Sequence, residues 1–392
     1  MKKEAIWALG ASQCVYWGIF YYTFGVMIVP MRAELGVSEA VLAGAFSLGL
    51  ATSALLASPF GRRLDEGRGW TFFRGGALGG AGLLLAWSWV ASPLGLYLVW
   101  IGLGVTLATS LYEAAFGLLT RAISDPAARL NAMASVTILG GLASTLFLPL
   151  AAGGITFFGW RVTLRILAVL VLATAWLTEK KTSSELRALA PAYSSRDELP
   201  AVSPIPPVAP FTRLVLTVPF VAATFAAMAA ATLVVPTLVA RGQTLAAASG
   251  ILAALGVLQL PGRLWVWRRS LSPRNLLVTP LILQAVGLAV FGGLHATWTA
   301  ILGVALFGLG AGIHTLARPW AVSVLYGVAA SGAVNGAIAR HQAIARAAGP
   351  FCAAAASSYL GATALFLSLA GTLAMLAPLS ILTARQAAVK AA

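Results

Sequence analysis

Long apolar stretches alternate with short polar junctions along all 392 residues of this chain. Breaking it where charged residues, Pro or Gly cluster gives twelve spans: 5–30, 38–61, 70–91, 93–121, 130–156, 160–178, 213–240, 244–263, 275–294, 297–326, 333–359 and 361–384. Each is close to or above the roughly 20 residues an α-helix needs to cross a hydrocarbon core of about 30 Å. Backbone polar groups in that core must be satisfied within the segment, which selects helices. The pattern therefore predicts an all-α integral membrane protein with twelve transmembrane helices. One long polar stretch interrupts it, from Glu179 to Thr212, with Glu179-Lys180-Lys181, Arg196-Asp197-Glu198 and five prolines between Pro200 and Pro210. Too few apolar residues lie there to form a core, so it reads as a cytoplasmic Pro-rich linker (179–212). It joins an N-terminal six-helix bundle (1–178) to a C-terminal one (213–392).

Charge fixes an orientation. Arg62, Arg63, Arg68 and Arg74 fall around one junction and Arg263, Arg268, Arg269 and Arg274 around its counterpart, whereas the alternate side receives only Arg32, Arg161, Arg165 and Arg241. By the positive-inside rule both termini are expected in the cytoplasm, in an inner (plasma) membrane. Met1-Lys2-Lys3 and the apolar run after it imitate a signal peptide. The run continues to Val29-Pro30 without a small-residue cleavage site, so it is expected to be a retained span.

Composition sharpens this reading. Hydrophobic residues make up 59% and charged residues 9% of the chain, against roughly 25% charged in a soluble domain. The net charge of +15 lies in short clusters between apolar runs, so it speaks for anionic headgroups rather than a nucleic-acid partner. Cys14 and Cys352 lie in distant apolar segments and supply neither a disulfide framework nor a zinc site. No His-Glu-x-x-His, Gly-x-Ser-x-Gly or phosphate-loop motif occurs, which argues against a membrane enzyme and against an ATP-driven pump. No cofactor and no bound metal are expected, and a monomer is the default.

The informative residues are the stranded charges. Of 11 acidic residues only Glu113 lies deep in an apolar run, and Arg318, Arg340 and Arg346 are the basic equivalents. Such groups cost about 2.5–3.5 kcal/mol at the bilayer centre and generally face a cavity or a partner. Arg346, followed by Gly349-Pro350, presents a fork suited to a carboxylate, or else a structural pair with Glu113 or a helix end. Arg318 follows His314 by one helical turn, on one face. It either pairs with Glu113, so that substrate or a proton competes for the pair, or braces the fold permanently. His314 is a candidate proton carrier, or a satisfied hydrogen-bonding residue. Arg340, with His341 beside it, is expected to snorkel to headgroups. In the first span Gln13, Tyr16 and Phe20 form a stripe near Tyr21, and Tyr112 stands beside Glu113 in the fourth. Cavity lining and plain packing both fit that stripe.

The two halves echo each other. Pro30 is matched by Pro236, Phe60-Gly61-Arg62 by Pro261-Gly262-Arg263, and Gly102-Leu103-Gly104 by Gly308-Leu309-Gly310, at a nearly constant offset. This predicts two bundles related by a pseudo-two-fold axis, with a substrate site near the midplane. At Gly61-Arg62-Arg63-Leu64-Asp65-Glu66-Gly67-Arg68, and again at Gly159-Trp160-Arg161, the chain resembles the major facilitator superfamily. Gly61 and Asp65 stand where that family's loop between helices two and three has them, while Gly67 and Arg68 come one residue early. The resemblance implies that Gly61, Asp65 and Arg68 form a conformational latch. Asp65 can cap a neighbouring helix N-terminus or pair with an arginine, and Val266 takes its place in the second copy. Within the superfamily, Tyr16-Trp17-Gly18-Ile19-Phe20-Tyr21-Tyr22 and Tyr112-Glu113 look most like bacterial monocarboxylate-type members.

These readings converge on a secondary active transporter that moves a small organic anion by alternating access, with proton coupling. Arg346, Arg318, Tyr16, Phe20, Tyr112 and Gln13 are the candidate substrate-binding residues, and Glu113 and His314 the candidate proton carriers. The competing expectation is proton-driven efflux of an apolar or cationic compound through Glu113.

Overall fold

The computed structural model describes residues 2–187, 210–269 and 272–391. The first half begins with α1 (Lys3–Tyr16) and α2 (Thr23–Leu35), joined without a loop by a π-helical turn over Trp17–Tyr22. Next come α3 (Glu39–Arg63), a wide turn over Leu64–Arg68, α4 (Gly69–Ser88), α5 (Pro93–Ser110) and α6 (Tyr112–Ala122). Then α7 (Pro126–Gly140) and the long α8 (Ala143–Arg187) complete it. The second half holds α9 (Pro210–Ala240), α10 (Leu245–Leu258), α11 (Leu260–Arg268) and α12 (Pro273–Gly293). It ends with α13 (Thr297–Tyr326), α14 (Ser331–Leu360) and α15 (Ala362–Ala391), and the described residues contain no strand.

Nine stretches of the described residues are long and apolar enough to cross a bilayer. Two of them, Val41–Ser88 and Pro126–Thr182, run to 48 and 57 residues, enough for two crossings each at about 20 residues per crossing. Each contains a glycine with positive φ, Gly67 at 83° and Gly159 at 73°, a conformation that ends one helix and starts the next. The thirty-residue α14 supplies the remaining crossing, its polar residues lowering its apolar character. The chain thus has the twelve-helix, two-bundle architecture that the apolar pattern predicts. Of the expected linker, Glu179 to Arg187 continue α8, and residues 188–209 lie outside the described residues.

Among the described residues the chain forms two compact units, with 2–125, 135–187 and 328–337 in one and 126–134, 210–269, 272–327 and 338–391 in the other. In the first, Phe24 stacks on Phe46 at 4.6 Å, and Trp100 meets both edge-on at 5.0 Å. Trp87 joins them and donates its indole N–H to Met31 Sδ at 3.2 Å. In the second, Phe291 and Phe366 pack edge to face at 4.8 Å within an aliphatic core. Repeated glycines set the helix spacing, as small residues do in membranes. A Cβ on Gly104 would stand 2.4 Å from the Gly49 carbonyl, and one on Gly310 2.7 Å from the Pro280 carbonyl. The Gly-Leu-Gly echo is therefore a pair of close helix crossings.

The Gly159-Trp160-Arg161 element also finds a physical role. Arg161 Nε donates to Glu34 Oε1 at 2.7 Å, Trp160 donates to the other carboxylate oxygen, and Arg161 Nη1 reaches the Ser88 carbonyl at 2.8 Å. One motif thereby ties the end of α2, the end of α4 and the start of the sixth crossing.

Candidate functional site

In the first unit the fourth crossing is broken within its length, after the 18 residues of α5 and before the 11 of α6. Leu111 takes an extended conformation (φ −88°, ψ −166°) between α5 and α6. Hydroxyls prepare the break: Thr109 Oγ1 donates to the Val105 carbonyl at 2.8 Å and Ser110 Oγ to the Thr106 carbonyl at 2.6 Å. Such back-bonding competes with the helix ladder and bends it. The opened Ser110 carbonyl is met by Gln13 Nε2 at 2.8 Å. Gln13 is fully buried, and its Oε1 has no hydrogen-bond partner.

The π turn of the first crossing lies against this break. Thr23 Oγ1 donates to the Gly18 carbonyl at 3.0 Å, and a Cβ on Gly18 would overlap the Phe147 ring at 2.3 Å. The wide turn brings Trp17 to Tyr112, ring centroids 5.1 Å apart, and Tyr112 stacks on Phe116 at 5.4 Å. Single π turns inside α-helices are frequent at functional sites. Glu113, half-buried in the first turn of α6, stands where the partial positive charge of a helix N-terminus favours a carboxylate. It lines a cavity of about 20 Å³ together with Gly117, Gly332 and Asn335, and such a volume accommodates one water. Asn335 Oδ1 is buried there without a partner.

A few residues away, Asp65 caps α14. Its Oδ1 accepts from the Gly332 N–H and its Oδ2 from the Ala333 N–H, both at 2.8 Å. Arg121 Nη1 donates to the Asp65 backbone carbonyl. Gly61 makes the approach possible, since a Cβ on it would meet the Gly332 carbonyl at 2.0 Å. Gly61 and Asp65 are thus brought together at the start of α14, whereas Arg68 is exposed on the turn.

In the second unit the polar cluster is made of side chains on intact helices. Arg318 is buried on α13 and donates through Nη1 to Gln342 Oε1 on α14. Gln342 Nε2 in turn donates to Thr224 Oγ1 at 2.8 Å and to the Phe220 carbonyl at 3.3 Å on α9. His314, one turn before Arg318, packs its ring 4.6 Å from that of Phe220, and neither ring nitrogen has a hydrogen-bond partner. Three helices are held to one guanidinium through one amide. Nearby, Arg129 Nη1 at the start of α7 donates to Ser323 Oγ at 2.7 Å.

The remaining sequence candidates are placed as follows. Tyr16 and Phe20 are fully buried in the first unit, Tyr16 with ring neighbours Phe20 at 5.6 Å and Phe73 at 5.9 Å. They pack rather than line the small cavity. Arg346 and Arg340 are exposed on α14. Gln342 and Asn335 are residues that apolar patterning does not single out, and Trp17 stands out there only as one of a run of aromatics. Their one signal was an amide or indole inside an apolar span. Among the described residues no group of three or more His, Cys, Asp and Glu gathers in a way that would hold a metal.

The profile of the Major Facilitator Superfamily matches residues 9–350. The chain belongs to that superfamily, a class of multi-pass membrane transporters for small molecules. Among solved structures, the human organic anion transporter MFSD10 (TETRAN) is similar at 16% identity and a TM-score of 0.69, covering 97% of this chain and 100% of that one. The E. coli fucose:proton symporter FucP is similar at 12% identity and a TM-score of 0.70, with 96% and 98% covered. FucP in the outward conformation gives 13% identity, a TM-score of 0.64 and the same coverage. At these identities the likeness is one of fold. No curated protein matches the chain.

Proposed function

We propose that this protein is a secondary active transporter that carries a small, monocarboxylate-like organic anion by alternating access, coupled to protons. The observation that carries the reading is Arg318, a buried guanidinium held in place through Gln342. A fixed, always-charged fork inside a membrane span suits a carboxylate in two-point contact. Orienting the fork beforehand lowers the entropy lost on binding. Arg346 is the second cation of this proposal, one turn from Gln342 on α14.

Glu113 is the proposed proton carrier. It lines the small cavity at the start of α6, and the Asn335 side-chain carbonyl oxygen in the same cavity is an acceptor ready for a protonated carboxyl. His314 is the alternative carrier, one turn from Arg318. Gln13 and Tyr112 act as supports of the break that positions Glu113. Asp65 and Gly61 act as the latch that holds the start of α14. A monomer in the plasma membrane with both termini in the cytoplasm completes the proposal.

A second reading, proton-driven efflux of an apolar or cationic compound, draws on the rings of Trp17, Tyr112 and Phe116 beside Glu113. Purified protein in proteoliposomes separates the two. Carboxylates of graded size and cationic dyes are each offered with and without an inward proton gradient. Gradient-driven carboxylate uptake, lost in Arg318→Ala, is the expected result. Gradient-driven dye movement that survives Arg318→Ala and fails in Glu113→Gln would replace the first reading with the second.

A further inference from the structure

The second unit holds a cavity of about 800 Å³ between α9, α14 and α15. Its wall is apolar, with Val221, Phe225, Ile344 and Leu369 facing it, and only Arg213 and His341 bring charge or a titratable ring. Along α9 the lining runs from Arg213 to Ala226, about 20 Å of helix at 1.5 Å per residue. One leaflet of hydrocarbon is about 15 Å deep, half of the core, so the groove matches the depth of one leaflet. Its outer edge is formed by side chains that protein does not cover: Ile344 is 63% and Leu214 59% exposed.

Charge is placed at one end alone. Arg213 lies in the first turn of α9, exposed and beside the Tyr326 side chain, and a side chain of its length can keep its stem on apolar surface with its head among polar groups. The N-terminal end of α9 adds partial positive charge at the same level. A long apolar slot, open along one side and capped by a cation at the start of a spanning helix, is complementary to one amphiphile with an anionic head. We propose that this groove binds one acyl chain of an anionic phospholipid, with its phosphate at Arg213. The binding is separate from the transported solute and needs none of the residues assigned to transport.

The test uses the whole protein in vesicles carrying a trace of phosphatidylglycerol or phosphatidylcholine with a diazirine in the acyl tail. After illumination, labelled peptides are mapped by mass spectrometry. Labelling is expected to concentrate between Thr217 and Ala226 and around Ile344. It should be about fivefold stronger with phosphatidylglycerol, as one cation near anionic lipid would give. Arg213→Ala should erase the headgroup preference and keep the tail position. Ala222→Trp should fill the slot and remove the label, with Val218→Trp as a second filler, each accepted only if it elutes as a single species. Label spread evenly over all lipid-facing helices, equal labelling by both headgroups in the unaltered protein, or full labelling in both filled variants would overturn the proposal.

Discussion

The fourth and tenth crossings occupy equivalent places in the repeat and solve the burial of polarity differently. The fourth stops at Ser110, turns through an extended Leu111 and restarts as α6, placing Glu113 on a fresh helix end. The tenth, α13, runs unbroken from Thr297 to Tyr326 and carries Arg318. In the first, the helix itself is opened, and Gln13 takes the freed Ser110 carbonyl. In the second, the backbone is spent on the helix, so side chains from α9 and α14 must satisfy the cation. The contrast follows from charge sign. A carboxylate is stabilised by helix N–H groups, which only a helix start can offer, whereas a guanidinium needs acceptors. Gln342 and, through it, Thr224 and the Phe220 carbonyl provide that chain of contacts.

A similar asymmetry holds for the helix that follows each. The start of α14 is capped by Asp65 through two backbone amides. In the second copy Val266 stands in place of Asp65 and is buried, and α7 instead carries Arg129 bonded to Ser323. The two halves thus place different side chains at matching positions of the echo.

The comparison can be broken most severely at Arg318. Arg318→Ala is expected to lower initial uptake in proteoliposomes about ten- to hundredfold, matching the roughly 1.5–3 kcal/mol of a hydrogen bond to a charged group. Arg318→Lys should restore little, because a point charge lacks the fork. If Arg318→Ala transports normally, the side-chain half of the comparison has no functional meaning.

Next in size is Glu113→Gln. Gradient-driven accumulation should vanish while exchange of substrate across the membrane at equal pH persists, read as counterflow of labelled solute. Equal loss of both would make Glu113 a structural group. Asp65→Asn should follow. It removes the charge and one of the two acceptors, a change of about 1–2 kcal/mol at an N-cap. Hydrogen exchange at Gly332 and Ala333 should accelerate roughly tenfold, with little change at α7. Unchanged protection at α14 would remove the latch from the scheme.

The smallest effect is expected for Gln13→Leu, which leaves the Ser110 carbonyl without its partner. A loss of about 1 kcal/mol of stability, seen as a modestly lower melting temperature, would sharpen the account of the broken crossing. A gain in stability would mean that the break holds itself open.

Much of this was legible in the one-dimensional pattern. The span predicted at 93–121 is α5 and α6, and that at 297–326 is α13 residue for residue. Asp65 was legible as either a helix cap or an arginine partner, because an acid at a helix end can serve both, and its two bonds to α14 select the cap. The interruption at Leu111 was hidden, since no Gly or Pro marks it and Thr106, Thr109 and Ser110 are common inside membrane helices. The π turn was masked by a run of aromatics that fits an ordinary helix equally well. Gln342 was overlooked because a neutral amide in an Ala-rich helix carries no sign of what it faces.

The sequence by itself determined how many times the chain crosses the bilayer and which charges lie within the crossings. Both are properties of apolar length, and the hydrocarbon thickness reads them one segment at a time. Only the tertiary structure decided that Gln13 meets Ser110, that Asp65 caps Gly332 and Ala333, and that Gln342 holds Arg318. Those pairings depend on the rotation and register of one helix against another, which the packing of all the side chains fixes together.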